Sequence, residues 1–259
     1  MNTAIITLFT GLVIFCSHLL EGITGFGCTV IALPFLSAVI NIKTAVPIFC
    51  ITGWLMAFYI VIRSYKHIQW KEFLFIALHA AVGMPLGMLL FDRLPAEGLC
   101  IILALFMISV GGRGAKKTIN ENKHPDPAAA PVPVKKNLFM RLILLGCGII
   151  QGSLGSGGPL AVIYTTQALQ DKTQFRATLS MLWLVMNTWR LIDWTCRGSV
   201  WNHEIGKYTL IALPFAILGI LTGDCLHHKV NVFVFRLCVY AVLTISGVLM
   251  LIKNIFAVM

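Results

Sequence analysis

From Thr3 to Ile40 the chain carries a single formally charged side chain, Glu21, in an otherwise apolar run. Drawn as one helix, a run of 38 residues would reach about 57 Å at roughly 1.5 Å per residue, nearly twice the ~30 Å hydrocarbon core of a bilayer. The run must break. Glu21-Gly22-Ile23-Thr24-Gly25-Phe26-Gly27 is where it can, because glycine reaches positive φ without a Cβ penalty. A bilayer is also the solvent that the composition demands: 58% of the 259 residues are hydrophobic and 12% charged, with a mean hydropathy of +0.86. Ordinary soluble domains are about 25% charged, and this chain lacks the polar side chains to cover a core. It reads as an integral membrane protein, which excludes a soluble enzyme, a disordered tail and a nucleic-acid module.

Spanning helices need about 20 mostly apolar residues. Apolar runs fall at 3–20, 22–40, 44–62, 73–91 and 97–111, then at 138–150, 159–170, 174–194, 205–223 and 232–252. Between the two sets lies 112–137, rich in Pro and Lys, where Pro125, Pro127, Pro131 and Pro133 predict a loop. The halves also repeat each other. Glu21–Gly27 matches Gln151-Gly152-Ser153-Leu154-Gly155-Ser156-Gly157 at an offset of 130, and Trp70 matches Trp201. Gly83 and Gly87 match Gly219 and Gly223 at an offset of 136. Each half has an odd number of runs, so the second half must lie inverted. The expected fold is an all-α polytopic membrane protein of two inverted-topology repeats, each a Gly-broken helical hairpin plus three transmembrane helices. Residues 1–111 form the first repeat, 112–137 a cytoplasmic linker and 138–259 the second repeat.

The net charge of +10 fits this layout better than it fits nucleic acid, since Lys and Arg gather in cytoplasmic loops. With 112–137 inside, fourteen of the 20 Lys and Arg side chains fall on the inner side, including Arg113, Lys116, Lys117, Lys123, Lys135 and Lys136. Both termini are then outside. No Lys or Arg precedes Lys43, so the first apolar run lacks the basic start of a cleavable signal. The eight cysteines form no CxxC and read as free thiols. His227 and His228 have no ligand spacing, and the expectation is no metal and no cofactor.

The two breaks are the candidate site. Non-helical backbone at membrane depth is tolerated only where it lines a cavity or is buried in protein. Gly155-Ser156-Gly157-Gly158-Pro159 has the residues of a half-helix N-terminus, where amide N–H groups and the helix dipole receive an anion. Gly25, Gly27, Gly155, Gly157 and Gly158 are expected to approach substrate through backbone, with Thr24, Ser153 and Ser156 adding hydroxyl donors. Glu21 at the first tip faces a neutral partner position, Gln151, so Glu21 is a candidate for proton coupling, with His18 at i−3 on the same face. Each also has a purely structural reading, as a helix cap or a histidine bonded to backbone. Arg190 and Asn187 lie on one face, and Arg190 is either an anion fork or one side of an ion pair with Asp193. Arg176 reads as a cytoplasmic anchor and His79 as a weak candidate.

These motifs, with Pro34 and the stretch Phe175-Arg176-Ala177-Thr178-Leu179-Ser180 followed by Asn187 and Arg190, resemble the TauE/SafE family of sulfite and organosulfonate exporters. The resemblance implies a multi-pass inner-membrane permease that exports small anions such as sulfite, sulfoacetate or related sulfur and carboxylate compounds. The function expected is secondary transport by alternating access around a midplane site. No Walker A pattern occurs, so a proton or substrate gradient would drive it. The expected partners are the small anion and the lipid bilayer, with a homodimer possible and no nucleic acid. Two other readings stand beside it. An anion channel would use the same helix termini. An intramembrane serine protease would need Ser156 as nucleophile with His18 or His79 as base.

Overall fold

The structure is a computed structural model that describes residues 3–37, 39–123, 136–169, 171–198, 201–227, Lys229 and positions scattered between 233 and 252. The described residues form helices α1 (Thr3–Thr24), α2 (Cys28–Leu36), α3 (Ile42–Ser64), α4 (Trp70–Arg93), α5 (Ala96–Lys123), α6 (Leu138–Leu154), α7 (Gly158–Ala168), α8 (Lys172–Arg197) and α9 (His203–Leu226). A short 3-10 turn, Tyr65–His67, follows α3. Thr7–Thr24, Ile42–His67, Trp70–Arg93 and His203–Leu226 are each long and apolar enough to cross a membrane.

The breaks fall where glycine was expected to put them, but one turn later. Glu21 and Gln151 are not at loop tips; they lie in the last turns of α1 and α6. Each helix is closed by a glycine with positive φ, Gly25 at 79° and Gly155 at 63°. The Gly25 amide donates to the Glu21 carbonyl (2.6 Å) and the Gly155 amide to the Gln151 carbonyl (2.9 Å), the single-bond cap that a left-handed residue allows. Pro159 sits in the first turn of α7, where it forfeits no helix hydrogen bond.

A second departure concerns 112–137. Helix α5 does not stop at residue 111 but runs on to Lys123, since no proline intervenes before Pro125 and Ala, Lys and Arg are good helix formers. Residues 124–135 lie outside the described residues, as does most of the run at 232–252. Described positions in that run are helical. Tyr240, Thr244 and Gly247 lie against α5 at Gly111 and Ala104–Ile108.

Helix pairing follows the glycines. A β-carbon on Gly22 would stand 3.0 Å from Gly223 Cα, and one on Gly152 would stand 3.1 Å from Gly87 Cα. Gly219 likewise faces Phe15 and Leu19, while Gly83 faces Leu145 and Ile149. Thus α1 runs parallel to α9, and α6 parallel to α4, through corresponding residues of the two halves. Helices α3 and α8 cross antiparallel, with the Trp54 indole donating to Thr188 Oγ1 (2.7 Å) and the Gln69 amide to Thr178 Oγ1 (3.0 Å).

Two apolar cores result. One takes most of its side chains from α1, α2, α3 and α9, including Ile14, Leu33, Ile48 and Ile220, with Phe91, Ala104, Met107, Leu154 and Trp194 added from other helices. The other takes them from α4, α6, α7 and α8, including Met84, Leu144, Tyr164 and Leu182. Each core contains the broken hairpin and third helix of one half, with the fourth helix of the other. Charged residues collect at the helix ends. Arg176 pairs with Asp224 and Arg63 lies 3.6 Å from the same carboxylate, while Lys136 pairs with Glu72 at 3.1 Å. At the opposite end of α8, Arg197 pairs with Asp92 at 3.1 Å.

Candidate functional site

The two breaks meet on the middle of α8. A β-carbon on Gly155 would lie 3.6 Å from Thr29 Cγ2, and one on Gly158 would lie 3.3 Å from the Phe26 ring. Between them is a cavity lined by Glu21, Gly27, Cys28, Thr29, Val30, Gly53, Gln151, Gly155, Ser156, Gly158, Trp183 and Asn187. Its volume is ≈ 20 Å³, where a single water takes roughly 10–15 Å³. The space is water-sized and partly open rather than sealed. Its lining contains one carboxylate and no Lys, Arg or His.

Gln151 organises the second break. Its side-chain oxygen accepts from the Gly157 amide (3.0 Å), and its side-chain nitrogen donates to Asn187 Oδ1 (3.0 Å). One side chain therefore ties α6, the start of α7 and α8 together. The first break is tied to the same helix face, because the Trp183 indole N–H donates to the Gly25 carbonyl at 3.0 Å. Trp183, Asn187 and Arg190 share that face at helical spacing.

Of the residues expected at the site, Glu21, Gly27, Gly155, Ser156, Gly158 and Asn187 line the cavity. The others sit elsewhere. Thr24 Oγ1 lies 2.6 Å from the Leu20 carbonyl and 2.9 Å from the Phe26 carbonyl, its acceptors in the turn. Ser153 Oγ donates back along α6 to the Ile149 carbonyl at 2.9 Å. Gly25 packs its backbone against Arg176, and the Gly157 amide is taken by Gln151. Ser156 lines the cavity, but its hydroxyl donates to the Leu154 carbonyl (3.1 Å).

Arg190 does not pair with Asp193. Asp193 accepts from Arg197 Nε at 2.9 Å, one turn on, and the Arg190 guanidinium lies over Phe91 and Trp194 instead. Arg176 is not a surface anchor either: it is 4% exposed and bonded to Asp224, which also accepts from the Tyr59 hydroxyl at 3.2 Å. His227 is buried, and its Nδ1 bonds the Ile23 carbonyl at 2.6 Å. His79 bonds the Phe75 carbonyl at 2.7 Å.

Behind the cavity wall, His18, Glu21 and Cys28 bring their donor atoms within 4.8 Å of one another, all buried. His18 Nδ1 is 2.9 Å from the Ile14 carbonyl. A carbonyl only accepts, so that nitrogen carries the proton and Nε2 holds the lone pair. Nε2 of His18 and Oε2 of Glu21 have no hydrogen-bond partner.

Sequence reasoning missed Cys28, Thr29, Gly53, Gln151 and Trp183 as cavity residues. Gln151 had a signal: it occupies the repeat position of Glu21. Trp183 had one as well, four residues before Asn187 on one helix face.

Four apolar helices of membrane length, with α1 and α6 ended by left-handed glycines whose breaks abut inside the protein, fit a membrane transporter. The chain belongs to the TauE/SafE family: residues 10–250 match the family model described as Sulfite exporter TauE/SafE. It is similar to the Probable inner membrane transporter protein TsaS of Comamonas testosteroni, 21% identical over 184 residues that cover 71% of this chain and 73% of the relative. No solved structure matches the chain.

Proposed function

We propose that the protein is a secondary transporter of the inner membrane that exports small oxyanions of the sulfite, organosulfonate or carboxylate class, by alternating access between two inverted repeats. The observation that carries this reading is the meeting of two matching glycine breaks around one water-sized cavity on α8. The matching contacts of α1 with α9 and of α6 with α4 support the exchange of two related halves. The water-sized volume favours a carrier over an open channel, because a sulfonate cannot be held there unless the breaks part. Ser156, bonded to backbone, is a poor nucleophile, which supports transport rather than proteolysis.

The cavity offers an anion side-chain dipoles but no cation, and Glu21 would repel it. Anion binding is therefore coupled to protonation of Glu21, with His18 Nε2 as the neighbouring proton acceptor and the Cys28 thiol beside both. Loading an anion together with a proton makes the moving unit less charged and easier to carry through an apolar layer.

Counterflow of radiolabelled sulfoacetate in proteoliposomes tests the site. A β-carbon on Gly53 would lie 3.6 Å from Asn187 Nδ2 and 3.9 Å from Cys28 Sγ, ordinary contacts. Gly53→Ala is expected to transport, whereas Gly53→Leu fills the cavity and abolishes saturable counterflow in a protein that still elutes as wild type. Unimpaired counterflow in Gly53→Leu would place the pathway elsewhere.

A further inference from the structure

Among the described residues, nothing is hydrogen-bonded to the buried Arg190 guanidinium. The residue is 3% exposed, and Nε, Nη1 and Nη2 all lack a hydrogen-bond partner. Its guanidinium carbon lies 4.8 Å from the Phe91 ring centre and 4.4 Å from that of Trp194. The indole N–H of Trp194, a residue 1% exposed, is unpartnered too. The acids nearby do not serve the guanidinium: Asp92 and Asp193 both pair with Arg197, whose side chain is 54% exposed.

That distribution is backwards for a structural ion pair. A buried charge needs its partner far more than an exposed one does, yet here the exposed arginine pairs with both carboxylates, and the buried Oδ2 of Asp193 is left without a hydrogen bond among the described residues. Two aromatic faces steady the cation and fix the guanidinium plane, while leaving its N–H edge with no acceptor. A guanidinium edge held in this way is the donor set that binds a planar carboxylate or a sulfonate by two parallel hydrogen bonds. Arg190 is also one helical turn beyond Asn187, a cavity residue, on the same face of α8.

We propose that Arg190, with the Trp194 indole, forms a second anion station between the Phe91/Trp194 end of the bundle and the central cavity, taking a carboxylate or sulfonate oxyanion. Its role as a stepping site rests on the anion-carrier reading; its capacity to bind does not. An anion arriving from that end neutralises Arg190 first and then passes one turn along α8 to the cavity.

Two measurements separate the claims. Tryptophan fluorescence of the detergent-purified protein is titrated with sulfoacetate, and counterflow of the same anion is measured in proteoliposomes. The wild type is expected to give a saturable fluorescence change that Trp194→Phe removes. Arg190→Gln should raise the half-saturating concentration at least tenfold in both assays, and Arg190→Lys by less. The Arg190→Gln protein should melt no lower than wild type, because it removes an unpaired buried charge; a purely structural arginine would lower the melting point. A titration that is flat in wild type, or unchanged in Arg190→Gln and Arg190→Lys, overturns the station. Saturable fluorescence without counterflow of any anion would retain the station and sink the carrier reading instead.

Discussion

Gln151 makes two bonds that no other side chain replaces, so its removal has a calculable cost. In Gln151→Leu the side-chain volume is nearly kept. The Gly157 amide and the Asn187 side chain, respectively 3.0 Å and 3.0 Å from Gln151 atoms, then lose their partners in a space too small to admit more than a water or so. Each buried polar group left unpaired costs about 1–3 kcal/mol, giving about 2–6 kcal/mol together. For a chain of this size that lowers the melting temperature by on the order of 10 °C, since each kcal/mol is worth roughly 2–4 °C. Gln151→Ala should cost less despite deleting more atoms, because the vacated volume adjoins the cavity and lets water reach both orphans. The assay is thermal unfolding in detergent, followed by tryptophan fluorescence, with counterflow measured on the same preparations. A Leu variant that melts within about 1 °C of wild type, well inside the lower bound above, would refute the reasoning. So would an Ala variant that melts below the Leu variant.

Three other perturbations follow from the same geometry. Gly87→Ala and Gly223→Ala place a β-carbon 2.9 Å from Gly152 Cα and from Gly22 Cα respectively. Each should destabilise by about 1–3 kcal/mol, and a silent result at one beside a severe one at the other would contradict the equivalence of the two crossings. Glu21→Gln should remove the pH dependence of anion affinity. In wild type the affinity is expected to weaken as pH rises, because an ionised Glu21 would repel the anion; a profile over pH 5–8 that Glu21→Gln leaves unaltered would exclude Glu21 as the coupled group. Arg176→Gln removes the buried partner of Asp224 but leaves it Arg63 and the Tyr59 hydroxyl, so it should cost about 1.5–3 kcal/mol, part of it recovered by adding Asp224→Asn; a double variant no better than the single one would argue against the pair.

The breaks were legible because glycine runs inside long apolar segments have few structural excuses, and their duplication at one offset pointed to a shared site. Cap geometry decided what the pattern could not. Gly25 and Gly155, rather than the first glycine of each motif, take the left-handed conformation, so Glu21 and Gln151 remain helical and face inward. The hydroxyls of Thr24 and Ser153 each had a backbone carbonyl one turn back on their own helix and bond it, a choice the sequence pattern does not announce. The surroundings of Arg190 and Arg176 were not legible for a common reason. Spacing along α8 offered Asp193 to Arg197 as well as to Arg190, and the Phe91 ring from α4 is a tertiary fact. The Arg176 partner comes from α9, which no local pattern announces.

The exchange of α4 and α9 between the two cores bears on how such a chain is made. During synthesis α4 emerges long before α6, yet its glycine face at Gly83 and Gly87 has no mate until α6 arrives. Helix α1 waits longer still for α9. Neither half is then a folding unit, and the first must sit in the bilayer with unmatched glycine grooves until the second is inserted. Residues 1–137 expressed alone should be degraded, while co-expression with 138–259 as a separate chain should rescue both. A stable, monodisperse first half would show that the swap is completed late and is dispensable for survival of the nascent protein.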